Sequence, residues 1–303
     1  MPILTIDHVT TYRYSKPVSF GEHRIMMRPR AAHDQRILEA DLDIDPAPQR
    51  VRWVHDVFGN SVALATFSRR ARALRVASRV RLEHEPLDGG GIEVEDYARR
   101  YPFSYAAEDM ADLLRTIERQ HPDPARLVDR WARGFVRMDR PTETLALLAA
   151  MTAAIRRDFT YVPRHAEGTQ TPVETLGVRQ GTCRDFAMLM IEAARSLGLA
   201  AHFVSGYVYS PRGAGVVGGG NTHAWVRIFL PGSGWIEYDP TNGIVGGNGL
   251  VRVAVARDPR QAVPLSGSFI GFPGSNAGMD VSVDIRMDGD QRYGSGAAAA
   301  GAA

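Results

Sequence analysis

Three side chains in this sequence have the types and surroundings for nucleophilic chemistry. Cys183 is the only cysteine. It follows Gly181-Thr182 and opens a stretch, residues 184–197, where Phe186, Met190, Ala193, Ala194 and Leu197 recur at helical spacing. A thiol at a helix N-terminus feels the positive end of the macrodipole and unpaired backbone N–H groups. Both favour the thiolate, which is the form that attacks. His223 lies in a strand-like stretch, residues 222–230, and Asp239 ends the next one, residues 235–238. Adjacent antiparallel strands can bring His223 and Asp239 within hydrogen-bond reach, provided the helix start points at the pair. That is Cys–His–Asp logic: the imidazole takes the thiol proton and the carboxylate fixes its orientation and tautomer. The Cys183 backbone N–H is then a natural oxyanion donor.

The bulk of the chain sets limits on other chemistries. Its 303 residues suffice for one large domain or two ordinary ones. Hydrophobic residues make up 44% and charged residues 23%, the profile of a globular protein. A net charge of +2 is too small to imply a nucleic-acid partner. One cysteine excludes an internal disulfide framework and a cysteine zinc cluster. No His-Glu-x-x-His, EF-hand or phosphate-loop pattern occurs, so no metal or other cofactor is expected. No signal-like segment opens the chain and no apolar run approaches about 18 residues. The default expectation is a cytoplasmic protein with no membrane partner.

The elements that must position the three residues read as follows. Residues 1–85 hold short, β-branched, alternating segments separated by turn residues, the pattern of a β-sandwich. Ser15-Lys16-Pro17 reads as a break in the first strand. Residues 86–140 read as a glycine-rich linker and short helices, with Asp123-Pro124 as an N-cap followed by Pro at the first helical position. Residues 142–159 form an amphipathic helix with Leu145, Leu148, Ala149, Thr152, Ile155 and Phe159 on one stripe. Thr171-Pro172-Val173-Glu174 has capping-box spacing. Residues 141–290 are taken as one catalytic core ending in a β extension, and residues 291–303 as a disordered tail.

The motifs around the three residues resemble one family. Gly181-Thr182-Cys183-Arg184-Asp185-Phe186-Ala187, Arg195-Ser196-Leu197-Gly198-Leu199, Ser205-Gly206-Tyr207, Thr222-His223-Ala224-Trp225 and Trp235-Ile236-Glu237-Tyr238-Asp239-Pro240-Thr241-Asn242-Gly243 are similar, in order, to the core of the transglutaminase-like superfamily. Thr11-Tyr12-Arg13-Tyr14, Met27-Arg28-Pro29 and Asp56-Val57-Phe58-Gly59-Asn60 resemble the β-sandwich ahead of that core in bacterial members. The resemblance implies an α+β, papain-like core: a helix bearing the cysteine, packed on an antiparallel sheet bearing His and Asp. It implies acyl transfer through a thioester on a glutamine side chain or a peptide bond. Hydrolysis, as a cysteine protease or amidase acting on a peptide or protein, is the leading expectation. A protein-glutamine amine transglutaminase is the alternative enzyme, and a non-catalytic scaffold the alternative outside enzymes.

Other residues have plainer roles to weigh. Tyr161, in the loop before the helix, is a candidate second oxyanion donor. Trp225 is expected to pack the sheet, with a cleft-wall role as its alternative. Asp185 suits the first helical turn as a cap and is expected to point away from Cys183. Residues 213–220 are a loop before His223, either a lid or a loose connection. His165 and His202 could approach the cleft.

Overall fold

The computed structural model describes residues 2–86, 89–164, 168–210 and 216–288. The tail at 291–303, His165 and the first part of the 213–220 loop lie outside them. β1 (Ile3–Phe20) buries Leu4, Ile6, His8 and Thr10 in alternation, the period of a strand with one inward face. It runs straight through Ser15-Lys16-Pro17. Its ladder to β6 (Ala71–His84) passes from Arg13↔Ala73 to Val18↔Ala71, so Pro17 falls in an irregularity where no donor is needed. β2 (His23–Ile25), β3 (Gln35–Asp45), β4 (Arg50–His55) and β5 (Ser61–Thr66) complete the N-terminal part. β1, β6 and β3 form one antiparallel sheet, and β2, β5 and β4 another. Tyr14, Val18, Phe20, Ile25, Met27, Ala63, Leu74 and Val76 fill the space between them. This is the expected sandwich.

The middle of the chain is helical. β7 (Arg100–Tyr101) pairs with β8 (Thr142–Glu143) around α1 (Ala107–Ile117) and α2 (Leu127–Arg133). Pro124 is not the first helical residue. α2 starts at Leu127, after Arg126 turns with φ 53°. Asp123 nonetheless caps the helix, because its carboxylate accepts from the N–H groups of Leu127, Val128 and Asp129. α3 (Thr144–Asp158) buries Leu147, Leu148, Met151, Thr152 and Ile155, a stripe rotated from the predicted one to take in Leu147 and Met151. β9 (Thr160–Tyr161), α4 (Pro172–Val178) and β10 (Gln180–Gly181) lead into α5 (Cys183–Ser196). α4 starts with the expected capping box of Thr171 and Glu174.

The core sheet comprises β11 (Ala201–Val208), β12 (His223–Leu230), β13 (Gly234–Asp239), β14 (Ile244–Val245) and β15 (Leu250–Ala256), all antiparallel, in the order β14-β13-β12-β11-β15. Phe186, Ala187, Met190, Ala193 and Ala194 of α5 share one apolar cluster with Ala224, Val226, Ile228 and Leu230 of β12. Each large side chain buried there contributes about 1.5–3 kcal/mol relative to exposure. The helix-on-sheet core is thus the α+β arrangement expected.

The last strands do not extend that sheet. β16 (Leu265–Ser266) pairs with β2, β17 (Phe269–Ile270) with the end of β1, and β18 (Asn276–Met287) runs along β1 from Leu4↔Met287 to Tyr14↔Asn276. The sequence reading assigned them to the core. Their ladders put them on the sandwich, because the outer edge of β1 and the free side of β2 are the edges that can accept them. Leu4, Ile6, Val80, Leu82, Val283 and Ile285 then press on Tyr207, Tyr209, Val251 and Val253 of the core sheet. The core sheet is therefore covered by α5 on one face and by the sandwich on the other.

Two buried histidines sit in that contact. His8 Nδ1 lies 2.9 Å from the Tyr207 hydroxyl, and His84 Nδ1 2.9 Å from the Tyr209 hydroxyl. Burial pushes both imidazoles down to about 4 from 6.5. A histidine held neutral in the fold takes up its proton first in the unfolded chain. Stability is therefore intact above about 6.5 and declines as the pH falls toward 4, by about 3 kcal/mol for each histidine. We expect the thermal midpoint to drop steadily over that window, and His8→Asn to flatten the profile. A midpoint that stays level between pH 7 and 4.5 would contradict this account of the interface.

Candidate active site

Cys183 is the first residue of α5, and its N–H has no partner within the helix. The preceding residues fix its direction. Gly181 pairs with Tyr161 in a short parallel bridge, and the Val162 N–H donates to the Gly181 carbonyl at 2.9 Å. A Cβ on Gly181 would stand 2.9 Å from the Asp185 Cβ and 3.3 Å from the Phe186 ring, so only glycine lets the chain pass this close to its own helix. Asp185 is fully buried, and four donors hold it: Thr182 N–H at 2.8 Å, Thr182 Oγ1 at 2.9 Å, Gln170 N–H at 2.7 Å and Arg164 Nη2 at 3.0 Å. Its charge is spent on the cap and on Arg164 and the Gln170 N–H, in line with the capping role expected.

His223 opens β12 and Asp239 closes β13. Their ladder ends at Val226↔Tyr238, so the two meet beyond the last paired residues rather than directly across the strands. His223 Nε2 donates to Asp239 Oδ2 at 2.8 Å, with both side chains fully buried. Asp239 Oδ2 also accepts from Asn242 Nδ2 at 2.8 Å, and Oδ1 accepts from the Thr241 N–H at 2.9 Å and the Asn242 N–H at 3.3 Å. Burial raises the Asp239 pKa, but the imidazole charge and these hydrogen bonds outweigh it and hold the carboxyl below its ordinary value.

With Nε2 committed to Asp239, Nδ1 is the nitrogen left over. It makes no hydrogen bond of ordinary length and angle. Cys183 lies close enough to the same ring to favour its charged form. Burial works against the imidazolium, yet Asp239 first and Cys183 second push its pKa up to about 10. The fold therefore brings the three residues together, the thiol on the helix side and the carboxylate on the sheet side of one imidazole. Cys183 keeps 8% of its surface exposed and His223 only 1%.

Tyr161 stands beside the nucleophile. Burial, followed by the nearby Cys183 and Asp185, raises its phenol to about 12, so it is a neutral donor at any physiological pH. Trp225 is fully buried, stacks on the His223 ring at 6.0 Å and packs with Val204, Val208 and Leu250. It backs the imidazole rather than lining an opening. His202 is elsewhere, stacked on Trp235 at 4.1 Å. Burial, then the charges of Arg227, Arg195 and Arg30, lower it to about 3. By residue type alone Asn242 is no more than one member of a motif. Its place three residues after the carboxylate, in a Pro-Thr-Asn-Gly turn, was the available signal. Among the described residues no group of three His, Cys, Asp or Glu side chains converges as a metal site, and no helix is long and apolar enough to cross a membrane.

Comparison with known proteins bears on the same regions. Residues 4–83 match the bacterial transglutaminase-like N-terminal region, and residues 129–240 match the transglutaminase-like superfamily. A protein of Mycobacterium tuberculosis is 30% identical over 295 residues, covering 92% of this chain and 91% of its own length. One from Mycobacterium leprae is 27% identical over 286 residues, covering 93% and 98%. Among solved structures, a candidate cysteine protease from Cytophaga hutchinsonii superposes with a TM-score of 0.71 at 18% identity, over 97% of this chain and 92% of that one. The fold is shared along nearly the whole length, sandwich and papain-like core alike. The chain thus belongs to the transglutaminase-like superfamily, with the bacterial N-terminal region ahead of its core.

Proposed function

We propose that the protein is a cysteine-dependent acyl-transfer enzyme that opens a carboxamide or peptide bond through a thioester, with water as the acceptor. One observation carries this. A buried carboxylate occupies one nitrogen of His223 and leaves the other for a thiol at a helix N-terminus. The Cys183 sulfur attacks the carbonyl carbon, and the negative charge moves to the carbonyl oxygen. The Cys183 N–H and the Tyr161 hydroxyl are the donors nearest to hand for that oxygen. His223 gives the Nδ1 proton to the leaving nitrogen, and ammonia or an amine departs from the thioester. A water then loses a proton to Nδ1 and attacks the thioester, which frees the acid and the thiolate. Asp239 stays ionised throughout and holds the ring.

Hydrolysis of a peptide or protein is supported by analogy with the description of the Cytophaga protein. Incubation with a glutamine-containing peptide and a primary amine tests the acceptor. Release of ammonia or of a cleaved peptide, without amine incorporation, is the expected result; incorporation would make the enzyme a transglutaminase instead.

The nucleophile itself is tested by iodoacetamide. Cys183 should be alkylated rapidly near neutral pH, and His223→Ala should slow this by about a hundredfold or more. Labelling of the native protein at the pace of the His223→Ala variant would leave the scaffold reading in place.

The sign of the pH dependence follows from the raised imidazole. The imidazolium persists at neutral pH and is lost only as the pH rises through about 10. Activity should hold well above the ordinary histidine range before falling. Asp239→Asn removes the charge that sustains the imidazolium, and the alkaline limb should move down by about 1–3 units. An alkaline limb near 6.5 in the native enzyme would show that the pair does not govern turnover.

A further inference from the structure

The residues just before His223 lie across the catalytic ring. Gly218 has φ +90°, and a Cβ built on it would stand 2.7 Å from His223 Nδ1. This stretch, residues 216–221, is held at three points. Val216 packs into the apolar cluster of Trp225, Val204, Val208 and Leu250. The Gly220 carbonyl accepts from the Val283 N–H of β18 at 3.0 Å. Between these anchors the Asn242 side chain grips Val217 by both backbone groups: its Oδ1 accepts from the Val217 N–H at 2.9 Å, and its Nδ2 donates to the Val217 carbonyl at 3.2 Å. The same Nδ2 donates to Asp239 Oδ2 at 2.8 Å, on the oxygen that also receives His223. One amide therefore joins the strap over the imidazole to the carboxylate beneath it.

We propose that Asn242 is a positioning residue that fastens this strap to Asp239, so that strap closure over His223 and the orientation of the imidazole are one coupled state. The idea rests on the acyl-transfer reading above and adds a residue to it. Asn242 Nδ2 also lies 3.4 Å from His223 Nε2, on the Asp239 side of the ring and not at the Nδ1 that carries the proton in the reaction. It acts through Asp239 on one side and through Val217 on the other. The groups that face the imidazole are Cys183 from α5, Asp239 from β13, Asn242 from the turn after it, Trp225 from β12 and Gly218 from the strap. Only the strap can leave without dismantling the core. Coupling of this kind is reciprocal: whatever frees the strap must also disturb the ring, from whichever end it starts.

Two variants test the coupling from its two ends. Asn242→Ala removes the amide, and Val217→Pro removes the strap N–H while leaving Asn242 and the three reacting residues in place. Hydrogen exchange over residues 216–222 reports the strap. The pH profile of iodoacetamide alkylation, followed by intact mass, reports the thiol–imidazole pair. Both variants should exchange strap amides about tenfold faster or more. Both should also move the pH of half-maximal alkylation up by about one unit. A loosened strap with a native alkylation profile, in either variant, would overturn the proposal. So would a displaced profile with strap exchange unchanged. Should Asn242→Ala fail to fold, Val217→Pro decides alone. His223→Ala separates the two levels. If the native protein is alkylated no faster than that variant, the acyl-transfer reading falls and the proposal with it. If it is alkylated fast and the strap variants match it, only the proposal falls.

Discussion

Asp239 is an ionised carboxylate with no exposed surface, and the structure around it is arranged to keep it that way. Withdrawing such a charge from water costs several kcal/mol even after the protein relaxes. The cost is offset by a full set of donors: the imidazole, the Asn242 amide and two backbone N–H groups. Those N–H groups exist in the right place because the chain turns sharply after β13. The Gly243 N–H closes back on the Asp239 carbonyl at 2.8 Å, and the side-chain bonds fall inside that loop. Without the donors the carboxyl would neutralise, and His223 would lose the charge that sustains it. The Pro-Thr-Asn-Gly turn therefore helps to keep Asp239 charged beside His223.

The thiol side is fixed by independent means. Asp185 closes the start of α5 and holds Arg164 and Gln170, and the α5 side chains fill the core beneath. How close Cys183 comes to His223 depends on how deeply α5 settles on the sheet. Small residues decide that: Ala187, Ala193 and Ala194 on the helix meet Ala201 and Ala224 on the strands. A larger side chain at one of these positions would lift the helix and carry the thiol away, since packed interiors have no slack to absorb added volume.

Much of this was legible in the chain because it is local. The cysteine after Gly181-Thr182, the α5 periodicity, the α4 capping box and the alternation in β1 are all short-range signals, and each matches the structure. What was not legible is long-range. Nothing near Lys16-Pro17 shows that a bulge will carry the proline through a continuous strand. Nothing in residues 276–287 says that they pair with residues 4–14 across almost the entire chain, rather than with the core strand they follow. The α2 start was misplaced because Asp123 caps across a left-handed Arg126, a geometry that residue type alone does not announce. At the site, His223 and Asp239 were visible by type and order. The link from Asn242 to the strap was not, because it depends on where residues 216–221 come to rest.

The long-range closure of β18 has a consequence for the site. The strand that completes the sandwich also supplies the Val283 N–H that holds the strap at Gly220. The sandwich thus reaches the surroundings of His223 by two routes. It presses on the outer face of the core sheet through Tyr207 and Tyr209, and it anchors the far end of the segment lying over the ring. Without the sandwich, one face of the core sheet would be bare and the strap would lose an anchor. The N-terminal region and the C-terminal strands are, in this sense, walls of the candidate site built from the two ends of the chain.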